Sequence, residues 1–136
     1  MRGEDAFYAY CRAFEAKDAE AILALFDNKG LYEMPLLGQR LMGEGEICAG
    51  LTRIFSIAES CSIEASRVKS LTSTTIVEGR LRAKLHREAE PIELPCAIVL
   101  ATSAGKIARL SKYLDARPHR LWSDGPIFAP AARPEG

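Results

Sequence analysis

The 136-residue sequence predicts a single α+β domain in which three helices precede an antiparallel sheet. Two observations carry that prediction. Over roughly the first 60 residues the apolar side chains recur at i, i+3, i+4 and i+7, the spacing of one helix face, whereas from about residue 62 they alternate with a period of two. The later segments are also joined by short connections at 70–74, 87–91 and 103–105, which suit hairpins and leave no room for crossover helices.

The elements follow in order. Phe7, Tyr10, Cys11 and Phe14 line one face of a first helix over 4–17. Asp18 caps a second helix, on which Ala21, Ile22, Leu25 and Phe26 repeat the spacing until Asn28-Lys29-Gly30 ends it. Leu31 to Met34 reads as a short strand closed by Pro35, with 36–42 a turn or second short strand around Gly38. Glu44 and Glu46 complement the positive end of a third helix, which buries Ile47, Leu51, Ile54, Phe55 and Ala58 and ends near Ser60. Three or four long strands are then expected, at about 62–71, 74–86, 92–102 and 106–116. The remainder is an irregular tail with Leu121, Trp122, Ile127 and Phe128 among four prolines.

Composition removes several functional classes. Eighteen basic side chains balance 18 acidic ones, so no global field holds a polyanion and nucleic acid is not expected as a partner. The apolar runs fall far short of the ~20 residues that span a bilayer, and residues 1–5 carry no apolar signal core, so no membrane association and a cytoplasmic location are expected. Cys11, Cys48, Cys61 and Cys96 are scattered singly, and His86 and His119 are the only histidines, which leaves neither a metal-ligand set nor a redox motif; no cofactor is expected. No Gly-x-Ser-x-Gly turn presents a serine nucleophile, and Gly43-x-Gly45 lacks both a third glycine and a βαβ unit.

The order of elements resembles the nuclear transport factor 2-like superfamily. Tyr10 to Phe14, Ala16-Lys17-Asp18, Ile22 to Phe26, Tyr32-Glu33-Met34-Pro35 and Gly43 are similar to the N-terminal half of ketosteroid isomerases and SnoaL-like polyketide cyclases. Gly105-Lys106-Ile107 through Lys112-Tyr113-Leu114-Asp115 is similar to the final strand of limonene epoxide hydrolases and SnoaL-like proteins. The resemblance implies a cystatin-like cone, a curved and mostly antiparallel sheet with the three helices on its concave face and a pocket between. It implies a domain over 1–117, a tail over 118–136 packing on the domain or on a dimer partner, and a homodimer formed through the outer face of the sheet. It does not fix a reaction, because this superfamily hosts isomerases, cyclases, hydrolases and silent binding modules.

Most catalytic residues of these relatives do not carry over. The isomerase phenol falls on Tyr10 and is retained, but the catalytic base falls on Met34 and the oxyanion-hole acid near Ala97. In the epoxide hydrolase comparison the arginine persists as Arg80, while the two aspartate positions read Arg82 and Lys112.

Lys112 and Tyr10 are therefore the catalytic candidates. Lys112 shares a strand face with Leu110 and Leu114, which points it inward as a Schiff-base nucleophile, a general base or an anion-binding group; the alternative is a rim lysine in water. Tyr10 either donates to a ligand oxygen or serves as a core tyrosine. Glu78, Arg80, Arg82 and Lys84 form one polar strand face: inward, Glu78 and Arg80 pair at a pocket floor, and outward they form a solvated or dimer-contacting surface. The outward arrangement suits an apolar cone interior, whereas the epoxide hydrolase comparison argues for Arg80 inside. The expected pocket is Tyr10, Phe14, Tyr32, Met34, Leu51, Phe55, Arg80, Lys112 and Leu114, holding a small hydrophobic molecule of polyketide, terpenoid or steroid type as a ligand or as the substrate of an isomerase, cyclase or hydrolase. The alternative is a non-catalytic ligand sensor or dimeric interaction module without the superfamily's acids.

Overall fold

A computed structural model describes residues 2–114. The chain forms α1 (Gly3–Glu15), α2 (Ala19–Leu25), β1 (Phe26–Met34), a 3-10 turn (Pro35–Leu37), β2 (Gln39–Met42) and α3 (Gly43–Ile57). It continues with β3 (Ala58–Ser70), β4 (Thr74–Leu85), β5 (Ile92–Ser103) and β6 (Lys106–Leu114). The strands make one curved, open sheet in the order β2-β1-β6-β5-β4-β3, with three helices against its concave face. The α+β expectation holds. Every neighbouring pair is antiparallel except β1 and β6, which run parallel because the last strand of the meander returns beside the first.

α1 buries Ala6, Phe7, Tyr10, Ala13 and Phe14 and places Glu4 and Asp5 at its positive end. Its exit is closed by Lys17 N–H on the Phe14 carbonyl and Asp18 N–H on the Ala13 carbonyl, with Lys17 in the left-handed region at φ 55°. The Lys17 ammonium donates to the Ala58 carbonyl at 2.8 Å, which ties this corner to the start of β3. Asp18 caps α2 as the sequence predicts, accepting from Ala21 N–H at 3.0 Å.

Two boundaries differ from expectation. α2 stops at Leu25 because Phe26 turns extended to stack on Tyr32, with ring centroids 5.9 Å apart, and so opens β1 instead of closing the helix. The turn residues Asn28-Lys29-Gly30 lie inside β1 as an irregularity, where Asp27 accepts from Lys29 N–H. α3 stops at Ile57, not near Ser60, because Ala58 pairs with Leu85 and draws 58–61 into the β3–β4 ladder. The expectations for 115–116 and for the tail at 118–136, including Trp122 and Phe128, lie outside the described residues.

Curvature is built into β3 and β4. A bulge between Ala65 and Arg67 bends the pair opposite Gly79, where a Cβ would run into the Glu64 carbonyl oxygen. At the far end, Ala104 and Gly105 both take positive φ, which gives the two-residue turn that matches strand twist and pairs Ser103 with Lys106. No helix among the described residues is long and apolar enough to cross a membrane.

Candidate functional site

Strand alternation decides what reaches the space under the helices. On β6 Leu110, Lys112 and Leu114 share a face, and all three are buried. Lys112 is only 2% exposed, so the rim-lysine alternative does not hold. Its stem lies beside Ile98 on β5, its partner in register.

Two elements converge on the Lys112 nitrogen. From β1, Tyr32 accepts a hydrogen bond from Lys112 Nζ at 2.9 Å. From α1, Tyr10 Oη lies 2.6 Å from Tyr32 Oη, and neither tyrosine has any exposure. Nζ also lies 4.4 Å from the centroid of the Phe14 ring and 5.4 Å from those of Tyr10 and Tyr32. Among the described residues no carboxylate stands within 4.0 Å of Nζ; the five ion pairs involve other cations.

The neighbouring groups are neutral. Burial, and then the adjacent Tyr32, hold the Tyr10 phenol well above its usual range. Burial pushes the Cys11 thiol up to about 12 and raises Cys61 and Cys96, although Lys112 pulls all three the other way. These thiols therefore stay protonated near neutrality and supply no counter-charge. Cys61 donates to the Phe14 carbonyl at 3.3 Å. Among the described residues no group of three or more His, Cys, Asp or Glu side chains could hold a metal ion.

Beside the Lys112 side chain is a narrow apolar cavity, about 20 Å³ to the centre of a water-sized sphere. That is space for about one water molecule, each of which needs ~10–15 Å³ on this measure. Of the expected residues, Phe14, Met34, Lys112 and Leu114 border it, and Tyr10 and Tyr32 stand behind Lys112. Leu51 and Phe55 are buried on α3 without bordering it; Phe55 packs edge-on against Phe14 at 5.8 Å. The rest of the wall was not anticipated: Ile54, Ile57 and Ala58 at the end of α3, Cys61 on β3, and Leu81, Ala83 and Leu85 on β4. The signal for the β4 residues was present, since they are the apolar half of the alternation whose polar half is Glu78, Arg80, Arg82 and Lys84.

Arg80 requires correction. Its side chain is 58% exposed and pairs with Glu93 at 3.4 Å on the convex face, beside Arg82 with the same carboxylate. Glu78 pairs with Arg67 there, not with Arg80. The inward residues of β4 are Val77, Leu81, Ala83 and Leu85, so the arginine is one residue out of phase with the interior. Ala97 likewise alternates with the buried Cys96 and Ile98, and Met34 is a wall of the cavity. Neither the isomerase acids nor the epoxide hydrolase set is assembled here.

Fold and site together define a small α+β protein whose curved sheet and helices meet around one buried amine. A family model for the SnoaL-like domain matches residues 7–110, and the chain belongs to that family. No curated protein matches the chain in sequence. Among solved structures it is similar to a hypothetical protein of ketosteroid isomerase-like fold from Catenulispora acidiphila DSM 44928, solved in complex with trimethylamine. That likeness has 18% identity and a TM-score of 0.75 over 80% of this chain and 84% of the other. It is similar to an LEH-like epoxide hydrolase of M. tuberculosis at 17% identity and a TM-score of 0.71, over 83% and 82% of the two chains. TerC co-crystallized with polyporic acid gives 17% identity and a TM-score of 0.76, over 87% and 95%. At these identities the likenesses establish the fold alone.

Proposed function

We propose that this SnoaL-like protein binds a small, mostly apolar molecule that presents one oxygen-bearing end to Lys112. A single observation carries the reading: a buried Lys112 that borders an apolar cavity, its Nζ hydrogen-bonded to Tyr32 and facing no carboxylate among the described residues. Burying an ion without a counter-charge costs several kcal/mol, which a carbonyl, hydroxyl or carboxylate oxygen on a ligand would offset. The neighbours solved with trimethylamine and with polyporic acid support a fold that accepts small molecules. Isomerase, cyclase or hydrolase chemistry here would run through Lys112 and Tyr32, since the positions of the relatives' acids read Met34, Ala97, Arg82 and Lys112 itself.

The test is calorimetric titration with hexanoate, hexan-1-ol and hexan-2-one. Saturable binding of at least one, lost in Lys112→Met, is the expected result. No binding by any of them, or equal binding by the variant, overturns the reading.

The small cavity volume specifically favours a second reading, a non-catalytic interaction module whose interior is closed. The convex face, where Ile76, Ala97 and Val99 sit among Glu78, Arg80 and Glu93, is the surface we assign to pairing with a second copy. Light scattering showing a monomer at high concentration removes that assignment.

A further inference from the structure

We propose that the chain after Leu114 docks in cis on a groove at the end of the convex face of its own sheet, with Leu121 and Trp122 as its apolar anchors. The groove crosses β3, β4, β5 and β6 and measures about 590 Å³ to the centre of a water-sized sphere, room for several side chains. Pro95, Ala97 and Tyr113 border it. Leu36, from the 3-10 turn beside β6, stands on one side and is 61% exposed. Glu64, on β3, stands on the other and pairs with no cation among the described residues. An occupant must therefore bring apolar side chains and a positive charge.

Three observations select the protein's own tail. Tyr113 and Leu114, the last residues of β6, themselves line the groove, so the chain enters it directly. β6 lies between β1 and β5, and Pro118 has no N–H to continue a ladder there, so the chain must leave the sheet by that residue. The tail also carries the required charge within reach. Leu114, Cys96, Gly79 and Ala65 form one row across the four strands. At ~4.8 Å per strand that row is roughly 14 Å long, and an extended chain advances ~3.3 Å per residue, so Arg117 or Arg120 spans it to Glu64. Leu121 and Trp122 follow at once and cover Ala97, Tyr113 and Leu36, while four prolines lower the entropy that ordering the tail costs. Leu114 also borders the cavity beside Lys112, so the docked tail fixes the strand end that forms one of its walls. The groove shares Arg80 and Ala97 with the pairing face assigned above, and a docked tail leaves that face Ile76 and Val99.

Trp122 is the single tryptophan of the chain and reports the docking directly. The experiment measures its fluorescence and its quenching by acrylamide in the full chain, with circular dichroism to show that each variant folds. Quenching several-fold weaker than in urea, at every protein concentration, is expected. Leu36→Asp, at an exposed position, is expected to move the emission to longer wavelength and raise quenching to its level in urea, and Glu64→Lys to do so in part. Leu71→Asp, equally exposed but in the β3–β4 turn outside the groove, is expected to change neither. Wild-type quenching equal to that in urea overturns the proposal. Shielding that survives Leu36→Asp and Glu64→Lys in folded chains overturns it too, since the tail then lies elsewhere. Shielding that is lost on dilution, as light scattering passes from dimer to monomer, makes a second copy the occupant and rules out docking in cis.

Discussion

Replacing Lys112 by methionine tests whether the buried amine is held for a ligand or for the fold. The side chain is 2% exposed, so its ammonium has surrendered nearly all of its hydration, at an effective cost of several kcal/mol. Two contacts return part of this: the charged hydrogen bond to Tyr32, about 1.5–3 kcal/mol, and the Phe14 ring at 4.4 Å, about 2 kcal/mol. Methionine keeps the volume of the stem and needs no partner, and Tyr32 keeps its bond to Tyr10. Lys112→Met is therefore expected to stabilise the folded chain by about 1–2 kcal/mol, or about 3–8 °C in Tm for a domain of this size. Urea titrations followed by far-UV circular dichroism read the change as a higher midpoint at constant slope. A midpoint lowered by more than about 1 kcal/mol equivalent would mean that the fold already compensates the ammonium, and the argument for an awaited ligand oxygen would be refuted.

Three other outcomes follow from the same geometry. Met34 borders the cavity with Lys112 and follows the Glu33–Ser111 pair on adjacent parallel strands; Met34→Asp supplies the missing carboxylate, so it should cost about 2 kcal/mol less in the wild type than in Lys112→Met, measured as a double-mutant cycle. Gly79→Ala drives a Cβ into the Glu64 carbonyl oxygen and should destabilise by about 3 kcal/mol or more, whereas Gly45→Ala meets nothing within 4 Å in α3 and should stabilise by about 0.5–1 kcal/mol; paired urea titrations check both. Burial raises the Cys11 thiol from 9.0 to about 12, so the folded state holds a proton that the unfolded chain releases. The stability this contributes is complete below about pH 9 and is lost as pH rises toward about 12, and Cys11→Ala should flatten the fall in urea midpoint over that window.

The sequence exposed whatever depends on local period. α1 with Tyr10 and Phe14, the Asp18 cap, the hairpin at Ala104-Gly105 and the long alternating strands were legible because each is set by residues within a few positions of one another. Boundaries at Phe26 and Ala58 were not, because tertiary contacts decide them: Phe26 leaves the helix to stack on Tyr32, and Ala58 joins a ladder with Leu85, which is 27 positions away. The parallel pairing of β1 with β6 is equally non-local.

Arg80 shows how a site fails to be read when register is carried over by likeness. Alternation alone separates Leu81, Ala83 and Leu85 from Arg80 and Arg82, and the bulge opposite Gly79 preserves that phase while bending the sheet. A one-residue slip would have turned two guanidinium groups into an apolar interior, at a desolvation cost far above anything the Arg80–Glu93 and Arg82–Glu93 contacts provide at the surface. Lys112 obeys the same alternation and points inward regardless. The difference lies in what receives each cation. β4 faces a cavity whose other walls are apolar side chains and the cation of Lys112 itself, whereas Lys112 meets a phenol oxygen and three aromatic faces that arrive from β1 and α1. The cone can therefore hold one cation, at one position. The buried charge of Lys112, with its polar contact to Tyr32 and apolar side chains elsewhere around it, is the observation on which the proposed ligand rests.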